Sequence, residues 1–108
     1  MVRNRVKISV VKRVEPEYIF GGKVPHRPGT LEPFRTCSEY SEGDTWVVET
    51  DNVIPEGFCP QAWYDILRKL NIIHWGGSFA DAPGGDSVYA CCSDGSRPVI
   101  FKIERVID

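Results

Sequence analysis

The residues of this chain best suited to chemistry are its four cysteines, Cys37, Cys59, Cys91 and Cys92. A cysteine acts as a nucleophile or a metal ligand only as the thiolate, so the surroundings of each sulfur decide what it can do. An even number of cysteines indicates disulfides in a secreted protein. Here the first residues lead straight into a strand pattern and show no export signal. We therefore expect a cytoplasmic protein whose thiols are reduced or bound to a metal.

Cys59 stands directly before Pro60, which suits the first position of a helix because its missing N–H would have no partner there. The spacing predicts Cys59 as the N-cap. A thiol at a helix N-terminus lies beside unpaired N–H groups and a partial positive charge, which favours the thiolate. The alternative is that Cys59 serves as a small apolar residue that fills a gap beside Phe58 and Trp63.

Cys91 and Cys92 are adjacent in a predicted strand, so their side chains should point to opposite faces of a sheet. A two-residue type I′ turn at Asp94-Gly95 would place Cys92 on the core face, opposite Arg97. A guanidinium fixed there would favour the Cys92 thiolate and could hold an anionic ligand, whereas Arg97 could also lie in solvent at the end of the sheet. Pro98 opposes this register because it cannot donate to the ladder, which leaves a bulge or a longer turn open.

A metal site would have to assemble in space, because the chain has no pair of Cys-x-x-Cys ligands. Cys37, Cys59 and Cys92 are the predicted ligands, with zinc or an iron–sulfur cluster as the group that they could hold. His74 follows Cys59 by fifteen residues, roughly 22 Å along a continuous helix, so the two cannot share one metal. His26 lies in a proline-rich loop that could carry it to the site.

The strand and helix patterns that must position these thiols predict one α+β domain over residues 1–108. Its order is β-(long loop)-β-α-β-β, which suggests a four-stranded, mostly antiparallel sheet or partial barrel with one amphipathic helix packed on one face. The long loop, residues 15–36, contains a short apolar stretch that we interpret as a strand or a flap. The predicted strands cover residues 5–12, 45–50, 87–93 and 98–106, the helix begins at residue 60, and residues 80–86 form a loop.

Composition excludes several classes of partner. The net charge is −2 and the charged residues are interspersed, so we expect no nucleic-acid partner. The apolar runs are too short to span a bilayer, so we expect no membrane partner. The edge strands of the sheet could pair across a homo-oligomer.

The C-terminal run, residues 91–105, contains the pattern Cys-Cys-x-Asp-Gly-x-Arg-Pro-Val. It resembles a family of small proteins that is common in anaerobic bacteria and archaea and is recognised by this motif. The resemblance implies that all four cysteines match family positions, and it implies no activity, because none is established for the family. Further similar stretches are residues 6–12, 42–44, 55–60, 62–63 and 76–77.

Three hypotheses follow. The first is a thiolate site for metal binding or redox chemistry, with Cys59, Cys92 and Cys37 as its thiols and Arg97 as electrostatic support. The second is a non-enzymatic binding or accessory module whose cysteines only pack, with the long loop, Trp75 and Tyr89 as a surface for a protein partner. The third is an enzyme for a small molecule that uses Arg97 and Arg35 to hold an anion.

Overall fold

The computed structural model describes residues 3–79 and 85–107. Four antiparallel strands form one sheet in the order β2-β1-β4-β3, and one long helix lies against it, which confirms the predicted α+β fold. The edge strands β2 and β3 do not pair with each other, so the sheet is open rather than a partial barrel. The elements are β1 (Val6–Arg13), α1 (Pro16–Phe20), β2 (Thr45–Val48), α2 (Pro60–His74), β3 (Ser87–Cys91) and β4 (Val99–Arg105).

The core lies between the helix and the two central strands. Val6, Ile8 and Val10 alternate with partly exposed residues along β1, as the period of a half-buried strand requires. Phe101 and Ile103 do the same on β4 and are fully buried. The sequence pattern predicted this inward face correctly, because alternation directly reports which side of a strand is buried.

Helix α2 begins with Cys59 as its N-cap and Pro60 as its first residue, as predicted. Ile66, Leu70 and Ile73 lie on its buried face and are completely inaccessible to solvent. Each such side chain contributes about 1.5–3 kcal/mol by leaving water. The helix packs against β3, β4 and β1, and this packing fixes where Cys59 lies relative to the sheet.

The C-terminal end of α2 is closed by a Schellman motif. The Gly77 N–H donates to the Ile72 carbonyl at 2.7 Å and the Gly76 N–H to the Ile73 carbonyl at 3.2 Å. Gly76 has a φ of +87°, which a glycine adopts without steric cost. Arg105 from β4 adds hydrogen bonds to the carbonyls of Ile73 and Gly77, where a cation also offsets the negative end of the helix dipole.

Two side chains of α2 cover the outer edge of β3. The Lys69 ammonium donates to the Tyr89 carbonyl at 2.8 Å. The Asp65 carboxylate accepts a hydrogen bond from the Ser93 N–H at 2.7 Å, just beyond the strand. At the other edge of the sheet, no strand or loop among residues 3–79 and 85–107 pairs with the outer side of β2.

The long loop forms an arm that differs from the predicted strand or flap. Its apolar stretch is the short helix α1, which has Pro16 at its first position and Glu17 in its first turn, and both residues favour a helix N-terminus. A small hairpin-like loop follows, in which the Phe34 N–H donates to the Pro25 carbonyl at 3.0 Å and the Thr30 N–H closes the turn on the Arg27 carbonyl at 3.1 Å. The arm side chains are largely in solvent; Leu31 is 88% exposed.

The β3–β4 connection is longer than the predicted two-residue turn. Cys91 pairs with Ile100, and the Cys92 N–H donates to the Val99 carbonyl at 3.1 Å. Cys92 therefore lies opposite Val99 and not opposite Arg97: the two-residue register is wrong, and the longer turn that Pro98 left open is the one that forms. The shift is two residues, which preserves the faces: Ala90 is buried and Cys91 is exposed, as expected.

The type I′ turn was also wrong, and the side chain of Asp94 explains why. Neither Asp94 nor Gly95 has a positive φ, which both central residues of that turn require. Instead, the Asp94 carboxylate accepts hydrogen bonds from the N–H and the hydroxyl of Ser96 and from the Arg97 guanidinium. Such local side-chain bonds offer the backbone an alternative to a tight hairpin.

No helix in the described parts of the chain combines the length and the apolar character needed to cross a bilayer. Most of the predicted loop at residues 80–86 lies outside the described residues.

Two glycine substitutions, with a third as control, test how α2 ends. A Cβ at Gly77 would lie 2.8 Å from the Ile72 side chain and 2.9 Å from its carbonyl oxygen, so Gly77→Ala should lower the free energy of unfolding by about 1–3 kcal/mol. Gly76→Ala should lower it by about 1–2 kcal/mol because of the left-handed backbone. Gly95→Ala is the matched control, since a Cβ there meets nothing within 4 Å. Urea denaturation that ranks G95A with G77A would contradict this account.

Candidate functional site

Three of the four cysteines line one pocket of about 200 Å³. They come from distant parts of the chain: Cys37 directly follows the arm, Cys59 is the N-cap of α2 and Cys92 directly follows β3. The fold thus gathers the three thiols that the sequence selected. The described residues that line the pocket are Cys37, Glu39, Tyr40, Cys59, Gln61, Ala62, Cys92, Asp94, Arg97 and Val99.

Cys59 is held by its backbone. Its carbonyl accepts the N–H of Trp63 at 2.9 Å, which is the first turn of α2, and its N–H donates to the Tyr40 hydroxyl at 3.1 Å. The thiol makes no capping hydrogen bond to the helix, so the sulfur is not committed to the role that serine or aspartate fills at this position. Cys59 thus lies at the N-terminus of α2 and lines the pocket.

Tyr40 is the residue at this site that sequence reasoning missed. It is buried, with its ring edge-on to Trp46 at 5.4 Å and to Phe101 at 5.2 Å. Burial raises the pKa of Tyr40 well above its usual range, and the nearby Cys59 and Cys37 thiols act in the same direction. The hydroxyl therefore stays protonated. Because its oxygen already accepts the Cys59 N–H, its hydrogen can be donated to a pocket sulfur.

The sulfur of Cys92 ends the ladder between β3 and β4. The Val99 N–H donates to this sulfur at 3.3 Å, where a backbone carbonyl would otherwise be expected. The contact fixes Cys92 at the wall of the pocket on the core face. A hydrogen bond from an amide to sulfur is also stronger when the sulfur carries negative charge.

Arg97 lines the pocket, but its charge has a partner. Its Nε lies 3.0 Å from the Asp94 carboxylate, and its guanidinium lies 6.0 Å from the centre of the Phe34 ring. Burial opposes the ionisation of Asp94, yet the hydrogen bonds from Ser96 and Arg97 outweigh it and lower the pKa of that carboxyl. The predicted pairing of Arg97 with Cys92 across the ladder is replaced by this ion pair, since Cys92 lies opposite Val99.

Cys37 is held through its carbonyl by an arginine from β1. Arg13 Nη1 donates to the Cys37 oxygen at 3.1 Å, while its Nε and backbone N–H donate to the Glu42 carboxylate, each at 3.1 Å. These hydrogen bonds, led by that of the backbone N–H, lower the pKa of Glu42 to about 2. Arg13 therefore ties both ends of the segment that carries Cys37 and Tyr40 to the sheet.

Cys91 lies on the opposite face of the sheet, outside the pocket, as predicted. Its thiol is exposed and donates to the Cys92 carbonyl at 3.1 Å. Partial burial of the sulfur and the neighbouring Cys92 raise the pKa of Cys91. Of the two adjacent cysteines, only Cys92 belongs to the pocket.

The remaining candidates lie elsewhere. His74 is buried at the end of α2, where its Nδ1 lies 3.0 Å from the Asn4 carbonyl oxygen. His26 forms a bridge with Pro33 inside the arm. Arg35 lines a cleft of the arm and not the cysteine pocket, so the geometry does not bring it together with Arg97 as the anion hypothesis requires.

The residues that the structure describes contain no group of three or more histidine, cysteine, aspartate or glutamate side chains arranged to hold a metal ion. Cys37, Cys59 and Cys92 share a pocket without forming such a cluster. In this arrangement they do not fit zinc or an iron–sulfur cluster.

Comparison with known proteins adds no assignment: no protein-family model, curated protein or solved structure matches the chain. The resemblance to the motif-defined family therefore stays a prediction.

The Arg13–Glu42 bridge has a characteristic pH dependence. The pKa of Glu42 is about 2 in the folded protein against an ordinary value of 4.5, so the bridge stabilises the fold fully above about pH 5 and loses its effect as the pH falls towards 2. The gap in urea midpoint between wild type and Glu42→Gln should be constant from about pH 6 to 8 and should shrink below pH 4.5.

Glu32→Gln is the control for this experiment, because its ion pair with Arg27 spans 3.9 Å in the exposed arm. It should leave the urea midpoint unchanged at every pH. A gap for E42Q that does not vary with pH would show that the charge of Glu42 is not what stabilises the bridge.

Proposed function

We propose that the protein is a thiol–disulfide exchange protein of the cytoplasm, with Cys59 as the attacking thiolate. The observation that carries the proposal is the shared pocket: Cys37, Cys59 and Cys92 line it together with the Tyr40 hydroxyl. Buried cysteines that only pack need no polar surroundings. Here Cys59 lies at a helix N-terminus, and all three thiols line an open cavity together with Tyr40.

Cys59 is the best candidate for attack because two independent features favour its anion. The free N–H groups and the dipole at the start of α2 stabilise negative charge beside the N-cap. The Tyr40 hydroxyl lies next to Cys59 and stays protonated, so it can donate to the sulfur. A hydrogen bond to a charged group contributes about 1.5–3 kcal/mol.

The exchange takes place in two balanced steps. The Cys59 thiolate attacks one sulfur of a small disulfide, forming a mixed disulfide and releasing the other half as a thiolate. The Cys92 thiolate then attacks the Cys59 sulfur, forming a protein disulfide and releasing the second half. The protein thiols lose two electrons and two protons, and the small disulfide gains both. Cys37 is the alternative second thiol, since it lines the same pocket.

A non-enzymatic binding module is the second candidate, and the arm favours it. Tyr18 and Leu31 are 78% and 88% exposed, so the arm presents apolar side chains that a partner protein could cover. In this function the arm contacts a partner protein and the cysteines only pack. The two candidates differ in one respect that can be measured, the reactivity of Cys59.

The alkylation rates of Cys59 and Cys91 should run in the opposite order to the solvent exposure of the two residues. Cys59 should react with iodoacetamide at pH 7 about tenfold faster than the more exposed Cys91, whose pKa is raised. Peptide mapping by mass spectrometry after timed labelling measures both rates in one sample. Cys59→Ser should remove the fast phase, whereas Cys91→Ser should leave it intact. A Cys59 that reacts more slowly than Cys91 would favour the binding module.

Removing the Tyr40 hydroxyl should slow the alkylation of Cys59 and not that of Cys91. Tyr40→Phe keeps the buried ring and should lower the alkylation rate of Cys59 at pH 7 by about tenfold, with Cys91 unchanged. Tyr64→Phe, at an 83% exposed position on α2, is the matched control and should change neither rate. Equal slowing of Cys59 and Cys91 in Y40F would point to a general loss of structure.

Trapping identifies the second thiol. With hydroxyethyl disulfide, wild type should form an internal disulfide, whereas Cys92→Ser should accumulate a mixed disulfide on Cys59 and Cys37→Ser should not. Accumulation in C37S alone would exchange the roles of the two. Zinc or iron in anaerobically purified protein at one equivalent per chain would contradict the exchange function and favour a metal site.

A further inference from the structure

Glu39 gives the cysteine pocket a negative charge that no cation balances within the described structure. It lines the pocket two residues after Cys37, and its carboxylate forms no hydrogen bond or ion pair with any residue of the ranges 3–79 and 85–107. The other acidic and basic side chains among the described lining residues, Asp94 and Arg97, neutralise each other across 3.0 Å. Because Glu39 is exposed, its charge acts on molecules that approach the thiols from solvent.

A cleft of about 410 Å³ in the arm adjoins this pocket. Phe34 and Thr36 line the cleft, whereas the next residue of the chain, Cys37, lines the pocket. Across the boundary, the guanidinium of Arg97 lies 6.0 Å from the centre of the Phe34 ring. A ligand that extends out of the pocket past Cys37 can therefore continue into the cleft.

The cleft has the same excess of negative charge as the pocket. Glu15 and Glu17 line it together with one cation, Arg35. None of these three side chains forms a hydrogen bond or an ion pair with another residue in the described parts of the chain. Of the described residues that line the pocket and the cleft, four are acidic and two are basic. The combined surface therefore attracts cations and repels anions.

We propose that the substrate of the thiol site is a disulfide-linked peptide with a lysine or an arginine beside its cysteine. The proposal rests on the exchange function above and names its substrate class. A small disulfide needs only the pocket of about 200 Å³, whereas the residues that flank a peptide cysteine extend about 3.3–3.6 Å each, towards Glu39 and the cleft. The peptide disulfide takes up the two electrons and two protons that Cys59 and Cys92 lose, and it leaves as two cysteine thiols.

Three peptides, each as its disulfide-linked homodimer, test the proposal on the full chain: acetyl-Lys-Cys-Lys-amide, acetyl-Gln-Cys-Gln-amide and acetyl-Glu-Cys-Glu-amide. Mass spectrometry of acid-quenched samples gives the rate of protein oxidation at pH 7. Each rate is divided by that of 2-mercaptoethanol with the same peptide, which removes differences in the leaving thiol. The lysine peptide should then react about fivefold faster than the glutamine peptide, and the glutamate peptide should be the slowest. Sodium chloride at about 0.5 M should largely remove these differences.

Glu39→Gln should lower the advantage of the lysine peptide to about twofold or less. Glu49→Gln makes the same change of charge and is the matched control. Glu49 follows β2 at the end of the sheet where Val48 pairs with Val6, and it lines neither the pocket nor the cleft, so E49Q should keep the full advantage. Neither substitution should change the rate at which Cys59 reacts with uncharged iodoacetamide.

The outcomes separate this proposal from the exchange function. Equal corrected rates for the three peptides, or an undiminished advantage in E39Q, would overturn the substrate class and leave the exchange function standing. The same would follow if cystamine gained as much over hydroxyethyl disulfide as the lysine peptide gains over the glutamine peptide, because charge alone would then be selected. Failure of every peptide and of hydroxyethyl disulfide to oxidise Cys59 would overturn the exchange function, and the proposal with it.

Discussion

The antiparallel ladder between β1 and β4 is the constraint on which the rest of the molecule depends. Arg13 pairs with Val99 at one end of this ladder, and Val99 in turn pairs with Cys92. Three neighbouring strands therefore place the guanidinium that holds Cys37 and the sulfur of Cys92 in one row. Phe101, two residues along β4, supports the ring of Tyr40, which holds the N–H of Cys59. The positions of all three pocket cysteines therefore depend on the same few residues of strands β1 and β4.

The sequence predicted what depends on local periodicity. Alternation along β1 and β4 gave the buried face, and Pro60 after Cys59 gave the start of the helix, because both signals act over a few neighbouring residues. Cys91 and Cys92 point to opposite faces because they are adjacent in an extended chain, and the cysteine that faces the core stays the same whenever the register shifts by an even number of residues. For that reason the faces were right although the register was wrong.

What could not be predicted depends on contacts between side chains distant in sequence. Tyr40 meets Cys59 and Arg13 meets Cys37 only after the arm folds back, and neither pair has a spacing that marks it. The turn after β3 depends on a competition between a tight hairpin and the hydrogen bonds of Asp94. The residue types of this turn are compatible with either outcome, and the hydrogen bonds that Asp94 makes in the folded chain decide between them.

The two edges of the sheet differ, and this asymmetry limits how copies of the chain can associate. Lys69 binds the Tyr89 carbonyl of β3 and Asp65 binds the Ser93 N–H just beyond that strand, whereas the outer side of β2 has no strand or loop partner within the described structure. A sheet with two open edges can add copies at both ends and grow into a fibre. Pairing of β2 with β2 of another copy would use this edge in both molecules, and such a contact would be closed by a two-fold axis.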